Sequence, residues 1–315
     1  VKKFLNNPKK FVDEMIEGIL LAHPNELKCV NGNLRALVHS KKKEGKVAIV
    51  TGGGSGHLPL FLGYVGKGLA DGCAVGNIFA SPSSNVIYEV TKAADAAAGV
   101  LYLFGNYGGD RMNFDMAAEM AEMDGIRVEQ LRVTDDIASA PKGNENKRRG
   151  IAGIFFAYKV AGAAAEKMFS LDEVVRVTGK ALDNIRSIGV ATLPCIVPEV
   201  AKPTFTINDD EMEIGMGIHG EPGILRGKLQ TADEITKTMI ERILEDLPYV
   251  CGDEVAVLVN GLGATPKEEM YIIYRKVHSL LTDEGLKIYR VYIGEFATSM
   301  EMAGFRYHYS SWILN

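Results

Sequence analysis

Apolar residues in this chain fall into short runs that alternate with stretches of helical periodicity, the pattern of layered α/β folds. Four of the runs empty into small or polar segments. Residues 47–50 lead into Gly52-Gly53-Gly54-Ser55-Gly56-His57, and residues 100–103 into Gly105-Asn106-Tyr107-Gly108-Gly109-Asp110. Residues 128–133 lead into Asp135-Asp136, and residues 255–259 into Asn260-Gly261-Leu262-Gly263. Ligands of open α/β sheets gather beyond the carboxyl ends of strands, so these four loops are expected to share one rim. Helices are predicted over 114–123, 151–168 and 171–188, the second carrying a small-residue stretch that permits close packing. The polar segment 140–149, with Pro141 and Gly143, reads as an exposed loop or lid. Pro194, Pro198 and Pro203 then punctuate the chain. The pattern predicts an α/β protein of two domains, 1–185 and 186–315, each a mostly parallel or mixed sheet flanked by helices.

With 315 residues, 47% of them hydrophobic, the chain can bury a substantial core. A formal charge of −5 argues against nucleic acid as a partner, and the short basic runs Lys41-Lys42-Lys43 and Lys147-Arg148-Arg149 read as solvated loops. Cys29, Cys73, Cys195 and Cys251 are scattered without metal-site spacing and read as reduced, mostly buried thiols. The first residues lack a signal-peptide core, and no apolar stretch reaches the roughly 18 residues of a membrane span. A cytoplasmic protein with no membrane association is expected.

The glycine segment is the strongest site candidate, because successive glycines let a ligand approach backbone N–H groups. It fits neither common nucleotide motif. No Lys follows it, as a P-loop requires, and the last glycine of a dinucleotide fingerprint falls on His57 or Pro59. A tight strand-to-helix turn with an incidental histidine is the competing reading. Further on, Met212, Ile214, Met216 and Ile218 alternate with polar or small residues, which predicts a half-buried strand over 211–219. His219 then points away from the apolar face, with Gly217 and Gly215 leaving open space before the ring. It can serve as base, metal ligand or nucleophile toward a carbonyl, and metal binding is the weakest of these because no partner shows ligand spacing. Asp110 precedes a helix expected to start near Met112, so it is either an N-cap or a proton acceptor for a substrate hydroxyl. Asp135-Asp136 and Asp209-Asp210 read as solvent-facing turn residues rather than a Mg²⁺ site. No metal site is expected.

These pieces, in this order, resemble the substrate-binding subunit of dihydroxyacetone kinases, the DhaK family. The resemblance rests on 52–57 with Gly63-Tyr64-Val65-Gly66, Phe79-Ala80-Ser81-Pro82, Asn106-Tyr107-Gly108-Gly109-Asp110 and Arg148-Arg149-Gly150. It continues through Lys202-Pro203-Thr204-Phe205, 217–223 and 259–266. The resemblance implies that His219 adds to the ketone of dihydroxyacetone or a similar short ketose as a hemiaminal, which selects ketones over alcohols. It further implies that Asp110 accepts a proton from the terminal hydroxyl, that His57 hydrogen-bonds there, and that Gly54, Ser55 and Gly56 cradle the sugar. The chain itself would carry no cofactor. ADP or ATP with Mg would belong to a helical, DhaL-like partner subunit, recharged in some members by a phosphocarrier of a phosphotransferase system, and the chain would form a homodimer. An alternative within the family is a ketose sensor that acts on a transcription regulator, and a third is an inactive paralogue. Three departures stand out. Leu58-Pro59-Leu60-Phe61 follows His57 where many members have Glu-Pro and a His, and Phe104-Gly105 stands where many have a Lys; a pocket altered there is suited to a four-carbon ketose such as erythrulose. The tail 306–315 is unlike the family; truncation, an altered coding sequence and genuine divergence are the alternatives, and lost stability or dimer contacts would follow from the first two.

Overall fold

The computed structural model describes residues 2–247 and 249–311. Two compact units alternate along the chain. One comprises residues up to 133 with 157–180 and 197–201, and the other 134–156, 181–196 and the residues from 202 onward. The crossing at 180–181 is the one nearest the boundary expected at 185.

The strands of the first unit are β1 (Leu27–Val30), β2 (Asn33–His39), β3 (Ala48–Ser55), β4 (Gly72–Ile78), β5 (Val100–Gly105) and β6 (Val128–Val133). They form one mixed sheet in the order β1-β2-β4-β3-β5-β6. β4, β3, β5 and β6 are parallel neighbours, while β1 and β2 pair antiparallel at one side. All of β5 is buried, as expected of a parallel strand covered on both faces. Helices α1 (Phe11–Ala22), α2 (Ser84–Ala94) and α3 (Gly108–Met123) belong here, and α2 and α3 close one core with Ile87, Val90, Phe114 and Ala117 against Val50 and Tyr102. Two further helices follow, α4 (Ile154–Glu166) and α5 (Leu171–Asp183).

The second unit carries β7 (Ile185–Leu193), β10 (Glu211–Ile214), β11 (Leu225–Lys228), β12 (Glu254–Gly261), β13 (Lys287–Gly294) and β14 (Ala303–Ser311). The two-residue strands β8 (Ile196–Val197) and β9 (Lys202–Pro203) lie between β7 and β10 in sequence. The sheet order is β11-β10-β7-β14-β12-β13, antiparallel except for β12 with β13. Helices α6 (Ala232–Asp246) and α7 (Lys267–Asp283) lay Ile235, Met239 and Ile243, and Met270, Ile273 and Val277, on its core. The start of α6 is fixed by a capping box, in which Thr231 and Glu234 satisfy each other's backbone N–H groups.

Several expectations change. The helix read over 171–188 ends at Asp183, and β-branched Ile185 and Ile188 begin β7 instead. The strand read over 211–219 stops at Ile214, because Gly215 takes φ +87°, outside the range of a strand. Three of the four loop-bearing strands, β3, β5 and β6, are parallel neighbours in the first sheet, but β12 belongs to the other one, so the four loops are not on the rim of one sheet. Asp135 and Asp136 are buried rather than solvent-facing. The basic run is not a solvated loop either, since Arg148 is only 1% exposed. It donates to both carboxylate oxygens of Asp246 on α6, which also accepts from Arg186, so segment 140–149 is anchored at its end. Only Cys73 and Cys195 are buried; Cys29 is half-buried and Cys251 exposed. The unfamiliar tail forms most of β14, an interior strand between β7 and β12, while residues 312–315 of that tail lie outside the described residues.

Candidate functional site

In the first unit the expected residues follow the carboxyl ends of β3 and β5, two parallel neighbours. The glycines of 52–54 are part of β3 itself, not a loop. They are glycines because neighbouring protein fills the space of a side chain. A Cβ on Gly53 would enter the ring of Phe61, and one on Gly54 would lie 2.7 Å from the Ala80 backbone nitrogen. The Ser55 hydroxyl donates to the Gly76 carbonyl at 2.8 Å, tying β3 to β4 where their register shifts between Gly53 and Ser55. Gly56 then turns the chain with φ +104°.

His57, 2% exposed, is held by two aromatic rings. Phe79 stacks on it at 4.9 Å between centroids, and Phe61 meets it edge-on at 6.4 Å. Both phenylalanines have positive φ, 65° for Phe61 and 55° for Phe79, which is costly for bulky residues by roughly 1–3 kcal/mol each. Such strain marks a position that the surrounding structure fixes for a purpose. Leu58 is exposed, whereas Phe104 is buried within β5 and stacks on Phe114 at 4.1 Å. Phe104 is therefore a core residue and not part of a pocket.

Asp110 is the third residue of α3, which begins at Gly108, several residues earlier than expected. Tyr107 occupies the N-cap position, so Asp110 is not the cap. It is 6% exposed, in a first turn whose backbone N–H groups and dipole favour a carboxylate. Beneath it, the hydroxyls of Thr51 and Tyr158 share a hydrogen bond of 2.6 Å. Burial, and to a smaller extent the charge of Asp110, push the Tyr158 phenol well above its ordinary range.

In the second unit His219 lies on a turn after β10 and is partly exposed. The space expected in front of its ring is occupied. A Cβ on Gly217 would collide with the Glu221 carboxylate and with Arg149, and one on Gly215 with Ala138. Glu221 takes the His219 backbone N–H on one carboxylate oxygen and the ring Nδ1 on the other, at 3.0 Å. Burial would raise the Glu221 carboxyl, but the hydrogen bonds and charge of His219, with Arg149 nearby, hold it far below the usual carboxylate range. Arg149 stands 3.8 Å from Glu221, and its Nε donates to Asp136 at 2.9 Å and its Nη2 to the Gly215 carbonyl at 3.0 Å. From the segment between β13 and β14, Ser299 donates to the Ile218 carbonyl, and Arg306 of β14 donates to the Met216 carbonyl.

Deeper in the same unit Asp135 accepts the N–H groups of Ile151 and Gly153 at 2.7 and 2.9 Å, and the Ser187 hydroxyl, which also meets Nδ1 of His308. Burial lowers the pKa of His308, favouring the neutral ring. Among the described residues no group of three or more His, Cys, Asp or Glu is placed to hold a metal ion, and no helix is long and apolar enough to cross a membrane.

Sequence reasoning singled out His219, His57 and Asp110 but missed Glu221, Phe61 and Phe79, and took Arg149 for a solvated residue. Glu221 offered a signal, being a carboxylate two residues beyond the histidine across Gly220. The aromatic clamp offered little: Phe61 lies only four positions after His57, but nothing in the sequence brings Phe79, 22 positions on, against the same ring.

The dihydroxyacetone-binding DhaK subunit of a phosphotransferase-dependent dihydroxyacetone kinase from Listeria innocua is 44% identical, the alignment covering 96% of this chain and 92% of that one. A D-erythrulose kinase of Mycolicibacterium smegmatis is also 44% identical, over 96% of this chain and 52% of its own length. The solved structure of a dihydroxyacetone kinase operon co-activator, DhaQ, superposes with a TM-score of 0.89 at 31% identity, covering 95% of this chain and 91% of that one. The Dak1 domain matches residues 17–308, and the chain belongs to that family.

Proposed function

We propose that this chain is the ketose-binding subunit of a dihydroxyacetone kinase, a phosphotransferase that works with partner subunits. His219 holds dihydroxyacetone, or a related ketose such as erythrulose, through a bond from a ring nitrogen to the ketone carbon. Asp110 accepts the proton of the terminal hydroxyl as that oxygen attacks phosphorus, His57 hydrogen-bonds to the sugar, and residues 54–56 line its cradle. The phosphoryl group comes from ATP, or from an ADP recharged by a phosphocarrier, held with Mg by a helical partner. The setting is cytoplasmic and the subunit a homodimer.

The observation that carries this reading is the partly exposed His219 ring engaged at Nδ1 by Glu221, which favours a nucleophilic lone pair on the other nitrogen. The family's match across the chain supports the substrate class. A covalent bond to a carbonyl gives what hydrogen bonding alone gives poorly, rejection of glycerol, which has similar size and hydroxyls. It also fixes the acceptor hydroxyl for in-line transfer.

The similarity to the co-activator DhaQ favours a second reading, a ketose sensor. One experiment separates the two. Intact-protein mass after adduct stabilisation is expected to show one ketose on the wild-type chain and none on His219→Ala. Adding a nucleotide-binding partner with ATP, or with the phosphocarrier chain, is then expected to yield ketose phosphate. Adduct without turnover favours the sensor, and adduct persisting in His219→Ala removes the assignment of that residue.

A further inference from the structure

We propose that Glu221 is a positioning residue for His219: it selects the ring tautomer and serves as counter-ion to the charge that develops when the ring adds to a ketone. This rests on the reading of His219 as the covalent anchor. Three features of the turn lead to it. First, one carboxylate grips both the backbone N–H and the ring Nδ1 of the same histidine, so the position of the turn and the orientation of the ring are set by one side chain. Second, the turn is shaped for that contact. Gly217 leaves the volume in which the carboxylate and the Arg149 guanidinium meet, its N–H donates to the Glu221 carbonyl at 2.9 Å, and Gly220 takes φ +91° to bring Glu221 back over the ring. Third, the carboxylate is itself backed. Arg149 lies beside it and is fixed by buried Asp136 and the Gly215 carbonyl, so the order from the sheet outward is Asp136, Arg149, Glu221, His219.

A neutral imidazole in water favours the proton on Nε2. A carboxylate at Nδ1 reverses this preference, because Nδ1–H then makes a charge-assisted hydrogen bond. The lone pair is left on Nε2. In the addition, that pair forms the bond to the ketone carbon, the carbonyl π pair moves onto oxygen, and the oxygen takes a proton from water. The ring keeps its Nδ1 proton and becomes an imidazolium, whose charge faces the Glu221 carboxylate. Glu221 touches no reacting atom and acts only through the ring.

The ¹⁵N chemical shifts of the His219 ring in the folded full chain, without sugar, report the tautomer directly. The Nδ1–H form is expected to dominate in wild type and to lose that dominance in Glu221→Gln, which keeps the shape and removes the charge. The adduct, read by intact mass against dihydroxyacetone concentration, is expected to require at least about tenfold more ketose in the variant, the scale of effect seen when a residue that orients a histidine is removed. Glu221→Asp keeps the charge but withdraws it from Nδ1, and is expected to show the same losses. Unchanged tautomer and unchanged ketose dependence in both variants overturn the proposal. A wild-type chain that forms no adduct overturns the covalent reading instead, and the tautomer shift then judges the positioning role by itself.

Discussion

The two units hold their candidate residues by opposite means. In the first, His57 is clamped by the rings of Phe61 and Phe79, and Gly53 and Gly54 leave room that neighbouring protein fills. In the second, the turn bearing His219 is held by hydrogen bonds and charge, from Glu221, Arg149, Ser299 and Arg306. Steric clamping suits a group that must keep one orientation, and a charged support suits a ring whose own charge changes during reaction. The difference teaches that a glycine-rich stretch and a lone histidine can each be a site feature for reasons not contained in the stretch itself.

The comparison can be broken most directly at Asp110. If it is the proton acceptor, Asp110→Asn leaves ketose adduct intact while turnover in the reconstituted system falls by about 10²–10⁴-fold; unchanged turnover reduces Asp110 to a residue that stabilises the first turn of α3. Next in size is Arg148→Ala. Removing a buried guanidinium from Asp246 is expected to cost about 3 kcal/mol in denaturant unfolding, and a loss under about 0.5 kcal/mol would show that the anchor of segment 140–149 lies elsewhere. Gly54→Ala tests the steric half. A Cβ there meets the backbone of Phe79 and Ala80, so a destabilisation of about 1–3 kcal/mol is expected, and a variant of full stability that merely binds ketose poorly would show that Gly54 serves the ligand and not the fold.

The smallest effect concerns the charged half. His308 has a folded pKa lowered by burial, so the unfolded chain takes up the proton first. The stability it contributes is complete above the unfolded value, near about 6.5, and declines as pH falls from there toward the folded value. Asp135, also lowered despite burial, extends the loss into the acid range below the ordinary carboxylate value. Denaturant midpoints across pH 4–8, taken as an approximate range, should fall at the acid end less steeply in His308→Gln than in wild type; parallel curves would exclude the contribution of His308.

Much of the architecture was legible because buried strands write themselves as apolar runs, as in β5, β12 and the first half of β3, whereas β6 shows apolar residues chiefly at its buried ends. What failed has specific causes. The start of α3 was placed too late because Gly108 and Gly109 are poor helix formers, although the turn there is supported by what packs around it. The alternation of Met212 to Ile218 looked like one strand, yet Gly215 turns the backbone out of the sheet midway. The candidates His57, Asp110 and His219 were legible only as residue types a few positions beyond strands. Their supports were not, since Arg149 and Glu221 are 72 positions apart by residue number and only the fold makes them neighbours.

β14 has a consequence for the life of the chain. It is the last described strand, but it is inserted between β7 and β12, which are synthesised long before it. Until Ala303–Ser311 leaves the ribosome, those two strands face each other across a gap with their backbone edges bare. Such edges invite pairing with other molecules. A nascent chain is thus exposed to self-association until β14 has emerged, and a chaperone that shields β7 and β12 up to that moment would raise its yield.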